Sequence, residues 1–150
     1  MTKVSFYVLQ ADAPGSNGRL GLACRIAEKA LRASVGSGQR AYIHCPDEAT
    51  LNAMDDLLWT FRQGSFVAHE RLNDVRDWND TAPVIIGSDE PPQELNAVLI
   101  NLAQDVPLFF SRFERVAEVI DDAGRETGRQ RYQFYKDRGY PLETHKIGAE

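Results

Sequence analysis

The chain alternates short apolar runs with longer segments in which apolar residues recur at helical spacing. Runs rich in β-branched and aromatic residues predict five strands, at residues 4–9, 41–45, 83–87, 97–102 and 116–120. Polar segments with apolar residues at 3.6-residue spacing separate several of these strands. They predict three helices, over residues 20–31, 46–61 and 122–138.

This order of elements predicts an α/β fold. Strands that alternate with helices and are apolar on both faces indicate a mostly parallel sheet covered by helices on both sides. A short helical segment is expected from Pro107 through Phe113, and residues 62–81 are polar and irregular apart from Phe66 and Val67. Because no internal repeat or linker interrupts the pattern, we expect a single domain over residues 1–150 with a Rossmann-like topology.

The first strand is followed by a glycine-rich loop, yet the loop lacks a nucleotide-binding motif. Gly15, Gly18 and Gly21 are spaced G-x-x-G-x-x-G, which matches neither the dinucleotide fingerprint nor the phosphate-binding loop with its Lys and Ser/Thr. The sequence also has no nucleophile elbow or H-E-x-x-H motif, and its three histidines lack zinc-ligand spacing. We therefore expect no catalytic residue, no cofactor and no metal, although dispersed catalytic groups stay open.

Bulk composition narrows the class of protein. The chain is 43% hydrophobic and 26% charged, which is ordinary for a globular protein. No apolar run approaches the roughly 20 residues of a membrane span, and the first residues do not resemble a signal peptide. Cys24 and Cys45 lack metal-binding or disulfide patterning, which favours buried thiols. We expect a cytoplasmic protein without a membrane partner.

Charge is distributed unevenly along the chain. Residues 125–140, RETGRQRYQFYKDRGY, carry five Lys/Arg and two Asp/Glu, whereas the whole chain has a net charge of -5. Four residues of the last predicted helix lie within about 60° of one another on one face, at 100° per residue. They are Arg125, Arg129, Tyr132 and Lys136. Such a stripe suits an acidic peptide or a phosphate-bearing strand, and its plain alternative is a solvated helix end.

Trp59 is the second feature that stands apart from the apolar pattern. It lies off the apolar stripe of its predicted helix, which includes Leu51 and Leu58. Tryptophan is enriched at the centres of binding interfaces. Packing beneath the loop at 62–70, against Phe66, is the competing interpretation.

Several motifs resemble the chi subunit of bacterial DNA polymerase III over nearly the whole chain. The opening run VSFYVL is one of them. D-x-L-W is followed by S-F-x-x-H, and R-Y-x-x-Y-x-x-x-G occurs late in the chain. The matching positions are Asp56, Leu58, Trp59, Ser65, Phe66, His69, Arg131, Tyr132, Tyr135 and Gly139.

The resemblance implies a non-catalytic accessory protein of the clamp-loader complex, active in DNA replication. Chi-like proteins join the psi subunit and bind the acidic C-terminal tail of single-stranded DNA-binding protein (SSB). By motif, the family's basic positions fall on Arg125 and Arg129, with Tyr132 beside them. The apolar wall falls on Trp59, Phe66 and Val119, whereas Lys136 comes from the helical stripe alone. The protein would contact DNA only through SSB.

Two other classes stay open at this level. The same stripe could bind single-stranded nucleic acid directly. The negative net charge of the chain, however, disfavours general binding to the phosphate backbone. A nucleotide-dependent enzyme of the same fold is the other alternative. The sequence does not indicate which face would meet psi.

Overall fold

The computed structural model describes residues 1–10, 17–33, 39–61 and 67–148, which form one sheet flanked by helices. The strands are β1 (Lys3–Leu9), β2 (Ala41–His44), β3 (His69–Arg71), β4 (Val84–Gly87), β5 (Val98–Asn101), β6 (Arg115–Ile120) and β7 (Leu142–Ile147). The helices are α1 (Gly18–Ala33), α2 (Glu48–Thr60) and α3 (Arg125–Asp137), with 3₁₀ turns at Leu72–Asp74 and Phe110–Arg112.

The sheet contains the seven described strands in the order β3-β4-β2-β5-β6-β1-β7. Each neighbouring pair is parallel. β1 lies between the last two described strands, β6 and β7. Val4, for example, lies opposite Val116 of β6 on one side and opposite Leu142 of β7 on the other. Parallel strands need long crossover connections, which is why helices occur between several of them. This arrangement confirms the predicted α/β fold with a parallel sheet.

Two apolar layers cover the sheet, one on each face. On one face, α1 and α2 pack on alternate strand residues such as Ile43, Ile100 and Val119. On the other face, Tyr135 of α3 and a group of three phenylalanines at 109, 110 and 113 pack on residues that include Phe6. The helices thus lie on both faces as predicted. Consequently, a side chain on α2 and one on α3 are separated by the sheet.

The structure differs from the predicted elements at two strands. β3 lies inside the stretch that was expected to be irregular, and β7 was not expected at all. Both are edge strands whose residues are largely exposed or half-buried, so neither has the apolar alternation that identifies a strand. The expected helical segment from 107 to 113 is a single 3₁₀ turn. The predicted glycine stop after α1, at 36–38, lies outside the described residues.

Candidate functional site

Four residues of α3 form an exposed surface, which we call the cationic strip: Arg125, Arg129, Tyr132 and Lys136. Arg125 Nε is 3.0 Å from a carboxylate oxygen of Asp122. Within the described part of the chain, Arg129 and Lys136 form no ion pair or side-chain hydrogen bond, so their charge is available to a ligand. The strip is therefore a helix face on which positive charge is only partly compensated.

The buried face of α3 explains why the strip points outward. Gly128 lies directly over Ile120 of β6, and a Cβ on this glycine would be 2.7 Å from Ile120 Cδ1. One turn further, Arg131 is buried and its Nε donates to Glu118 Oε1 at 2.8 Å. The next turn brings the Tyr135 hydroxyl to within 2.7 Å of Glu118 Oε2. Three successive turns thus fix the rotation of α3 about its axis.

Glu118 is the centre of this buried network. It has no exposed surface and accepts two further contacts of 3.1 Å from Asn101 Nδ2. Burial raises the pKa of Glu118, and the Arg131 guanidinium opposes that rise. Burial, together with the neighbouring Glu118 charge, also raises the pKa of Tyr135, so its hydroxyl stays a donor. A buried carboxylate with donors on both oxygens avoids most of the cost of desolvation.

The end of α3 is a Schellman motif closed by Gly139, whose φ is +78°. The Gly139 N–H donates to Lys136 O at 3.0 Å, and the Tyr140 N–H donates to Tyr135 O at 3.2 Å. A positive φ at this position favours glycine. Three of the four residues in the late motif, Arg131, Tyr135 and Gly139, are therefore structural, and Tyr132 is the one whose side chain reaches the surface.

Tyr132 connects the strip to the sheet. The residue is 36% exposed, and its ring meets the buried Phe6 ring edge-on, with centroids 5.2 Å apart. Phe6 lies in β1 beside Thr144 of the edge strand β7. Tyr132 consequently borders the surface between α3 and β7.

Trp59 lies at a separate place on the protein. It is 51% exposed on α2, and its ring contacts the His69 ring with centroids 4.9 Å apart. The His69 ring is fixed between Asp55 Oδ1 and Val67 O, each at 2.6 Å. Hence the histidine of the S-F-x-x-H motif positions the tryptophan.

Asp55 links this second surface to β3. Arg71 Nε donates to Asp55 Oδ2 at 3.0 Å. Partial burial would raise the pKa of Asp55, but hydrogen bonds from His69 and Arg71 outweigh it and lower the pKa below its usual value. The carboxylate therefore stays ionised and holds α2 against the edge of the sheet.

The structure does not bring Trp59 to the cationic strip. Trp59 contacts β3 at one edge of the sheet, and Tyr132 contacts β1, five strands away. At a strand spacing of about 4.8 Å, this places them roughly 24 Å apart across the sheet. They also lie on opposite faces. The expected pocket with Trp59 beside the strip is therefore corrected to two separate surfaces.

Val119 also differs from the expected wall residue. It is fully buried and packs in the α1 and α2 layer, away from α3. The residues of β6 that meet α3 are its neighbours Glu118 and Ile120, because successive strand residues point to opposite faces. Phe66, the third predicted wall residue, lies outside the described residues.

A cleft of about 340 Å³ occurs elsewhere, on the α1 face at the N-terminal edge of the strands. Small residues such as Ser5, Ala30 and Ala117 meet there and leave space between α1 and the sheet. None of its lining residues belongs to α3. Among the described residues, no three His, Cys, Asp or Glu side chains are grouped to hold a metal, and no described helix is long and apolar enough to span a bilayer.

Comparison with solved structures defines the class of fold. Domain 2 of the DEAD-box helicase Mss116p, solved with an RNA duplex, superposes with a TM-score of 0.56. The match covers 97% of this chain and 64% of that chain at 9% sequence identity. At such low identity the likeness shows the fold alone, which is a Rossmann-like α/β fold.

Sequence comparison then defines the family. Residues 1–143 match the family model described as DNA polymerase III chi subunit, HolC. DNA polymerase III subunit chi of Pseudomonas aeruginosa is 40% identical over 149 residues, covering 98% of each chain. The Escherichia coli subunit is 30% identical over 152 residues, covering 96% of this chain and 97% of that one. The chain belongs to the DNA polymerase III chi subunit family and is an accessory subunit of DNA replication.

Proposed function

We propose that this protein links the DNA polymerase III clamp-loader complex to SSB by binding the acidic SSB C-terminal tail on the cationic strip. The observation that carries this proposal is the exposed row of Arg129, Tyr132 and Lys136 on a helix whose other face is locked by a buried network. We propose a role in recruitment and assembly, without catalysis. The psi subunit of the clamp loader is the second proposed partner.

Electrostatics supports a peptide partner over a nucleic acid. Residues 125–140 carry a net +3, so the remainder of the -5 chain carries -8. A long polyanion would pass over negative surface, whereas a short acidic tail fits the strip alone. Arg125 must exchange its Asp122 partner for a tail carboxylate, while Arg129 and Lys136 need no exchange. We therefore assign the largest electrostatic contribution to Arg129 and Lys136, and affinity should fall as salt rises.

We do not place the terminal Phe of the tail beside Trp59, as the family resemblance implies. Because Trp59 is on the other face of the sheet, we place the terminal Phe of the tail against the Tyr132 ring and its carboxylate on Arg129. Trp59 then belongs to a second interface. A half-exposed tryptophan held rigid by His69 suits a protein partner, and we assign that surface to psi.

Fluorescence polarisation with a labelled SSB tail peptide tests the proposal. Arg129→Glu should weaken binding by about tenfold or more, since a charge-assisted hydrogen bond contributes about 1.5–3 kcal/mol. Lys29→Glu is the matched control because it makes the same charge change at an exposed residue of α1. Equal losses in the two variants, or no loss in Arg129→Glu, would show that the strip is not the site.

The two alternative classes can be separated by simple measurements. Tight binding of labelled single-stranded DNA by the isolated chain, without SSB, would favour the direct nucleic-acid binder. Nucleotide retained through purification would favour the enzyme. Removing the terminal Phe from the tail peptide should weaken binding if Tyr132 receives that ring, and an unchanged affinity would contradict this placement.

A further inference from the structure

The edge strand β7 offers a surface that the proposed tail site does not yet use. β7 lies at the end of the strand order and pairs with β1 on one side. In the described ranges, no strand pairs with its other edge. An open edge of a sheet carries main-chain donors and acceptors that can pair with an added strand.

The register identifies which main-chain groups are open. Val4 N–H donates to Pro141 O at 3.0 Å, and Gln10 N–H donates to Ile147 O at 2.9 Å. Main-chain groups of alternate residues point to alternate sides of a strand, so odd-numbered residues of β7 face β1. Thr144 and Lys146 therefore direct their N–H and C=O groups toward solvent.

The side chains of the same two residues point toward the face that carries α3. Thr144 lies opposite Phe6, and Lys146 lies opposite Val8. Partners in a parallel register share a face of the sheet, and Phe6 contacts Tyr132 on α3. Lys146 consequently adds a cation to the surface between β7 and the strip. The opposite face of β7 carries Glu143 and His145, 3.4 Å apart.

We propose that an extended acidic peptide pairs with the open edge of β7 as an eighth strand, alongside the cationic strip. This inference rests on the proposed tail-binding function and specifies how the tail is held. Alternate side chains of an added strand would face α3, so every second aspartate would meet Lys146 or the strip. The main chain of the tail would be held by Thr144 and Lys146, and the side chains would be held by charge.

Lys146 also favours this occupant over a second copy of the chain. Lysine on an edge strand disfavours pairing with an identical strand, because the like charges approach each other. The same lysine attracts an acidic strand. The edge is therefore open to a peptide of opposite charge and protected against edge-to-edge association.

Amide hydrogen exchange followed by NMR, with and without saturating tail peptide, tests the proposal on the unaltered chain. The N–H groups of Thr144 and Lys146 should exchange about tenfold more slowly with peptide, as expected when nine tenths of the sites are occupied. In polarisation titrations, Lys146→Glu should weaken binding by about two- to fivefold, the range of a partly exposed ion pair. Lys29→Glu again provides the control.

The outcomes separate this proposal from the one on which it rests. Suppose that the peptide binds and that Arg129→Glu lowers its affinity, but the exchange rates of the Thr144 and Lys146 amides do not change and Lys146→Glu binds as well as the control. The added strand is then refuted, and the strip remains the site. If the unaltered chain does not bind the peptide, both proposals fail. Slowed exchange at both amides together with a selective loss in Lys146→Glu supports the added strand.

Discussion

Arg131→Met tests how the buried network holds α3, because Arg131 and Arg129 differ in environment although they are two residues apart. Arg131 is 4% exposed and donates to Glu118, which has no exposed surface. Arg131 Nη1 also donates to Gln104 O at 2.6 Å. Methionine keeps the aliphatic stem and removes the charge. Glu118 would then remain buried with only the neutral donors of Asn101 and Tyr135.

The expected loss is large for a chain of this size. Removing one partner of a buried ion pair costs about 3–5 kcal/mol, which compares with a total of about 5–15 kcal/mol for a typical domain. For a urea m-value of about 2 kcal/mol/M, a loss of this size lowers the unfolding midpoint by about 2 M. Arg129→Met should change the free energy of unfolding by less than about 0.5 kcal/mol.

Urea unfolding followed by far-UV circular dichroism measures both variants under one set of conditions. A double variant, Glu118→Gln with Arg131→Met, separates charge from packing, since it removes the uncompensated carboxylate while keeping its shape. It should be more stable than Arg131→Met alone. If Arg131→Met loses less than about 1 kcal/mol, or if the double variant is the less stable of the two, the ion pair is not what holds α3.

Three further predictions follow from packing and titration. Gly128→Ala should lower the free energy of unfolding by about 1 kcal/mol, because overpacking against Ile120 exceeds the gain in helix propensity; a rise in the urea midpoint would contradict this. The lowered pKa of Asp55 stabilises the fold above its unfolded pKa of about 4, and this contribution disappears as the pH falls through the folded value. Asp55→Asn should therefore be less stable at pH 7 and lose less stability on acidification, as judged by urea midpoints at pH 7 and pH 3. Burial raises the pKa of the Cys24 and Cys45 thiols to about 12, so intact-mass measurement should find iodoacetamide labelling at pH 8 only in denaturant.

Much of the fold could be predicted because buried strands and amphipathic helices have local signatures. Residues 41–43 and Val84–Gly87 are apolar throughout and belong to interior strands of the sheet. The edge strand β7 was missed because four of its six residues are exposed and its polar side chains give no alternation. Its position depends on pairing with β1, which is a contact between distant parts of the chain that local patterns do not encode.

The candidate site was predictable only in part, for a related reason. The helical repeat placed Arg125, Arg129, Tyr132 and Lys136 on one face, and the structure places all four at the surface of α3. The repeat also places Arg131 and Tyr135 on a different face, about 110° on average from the centre of the strip, a signal that could have identified them as buried. Which strand lies beneath each helix follows from the strand order, so the separation of Trp59 from the strip required the structure.

The pairing of β1 has a consequence for how the protein is made. Its two neighbours in the sheet are β6 and β7, which are formed by residues 115–120 and 142–147. During synthesis, VSFYVL therefore leaves the ribosome long before either neighbour exists. An apolar, β-branched segment without a partner is prone to aggregation. We expect the nascent chain to depend on chaperones until β6 emerges, and the surface between α3 and β7 to be the last part of the protein to form.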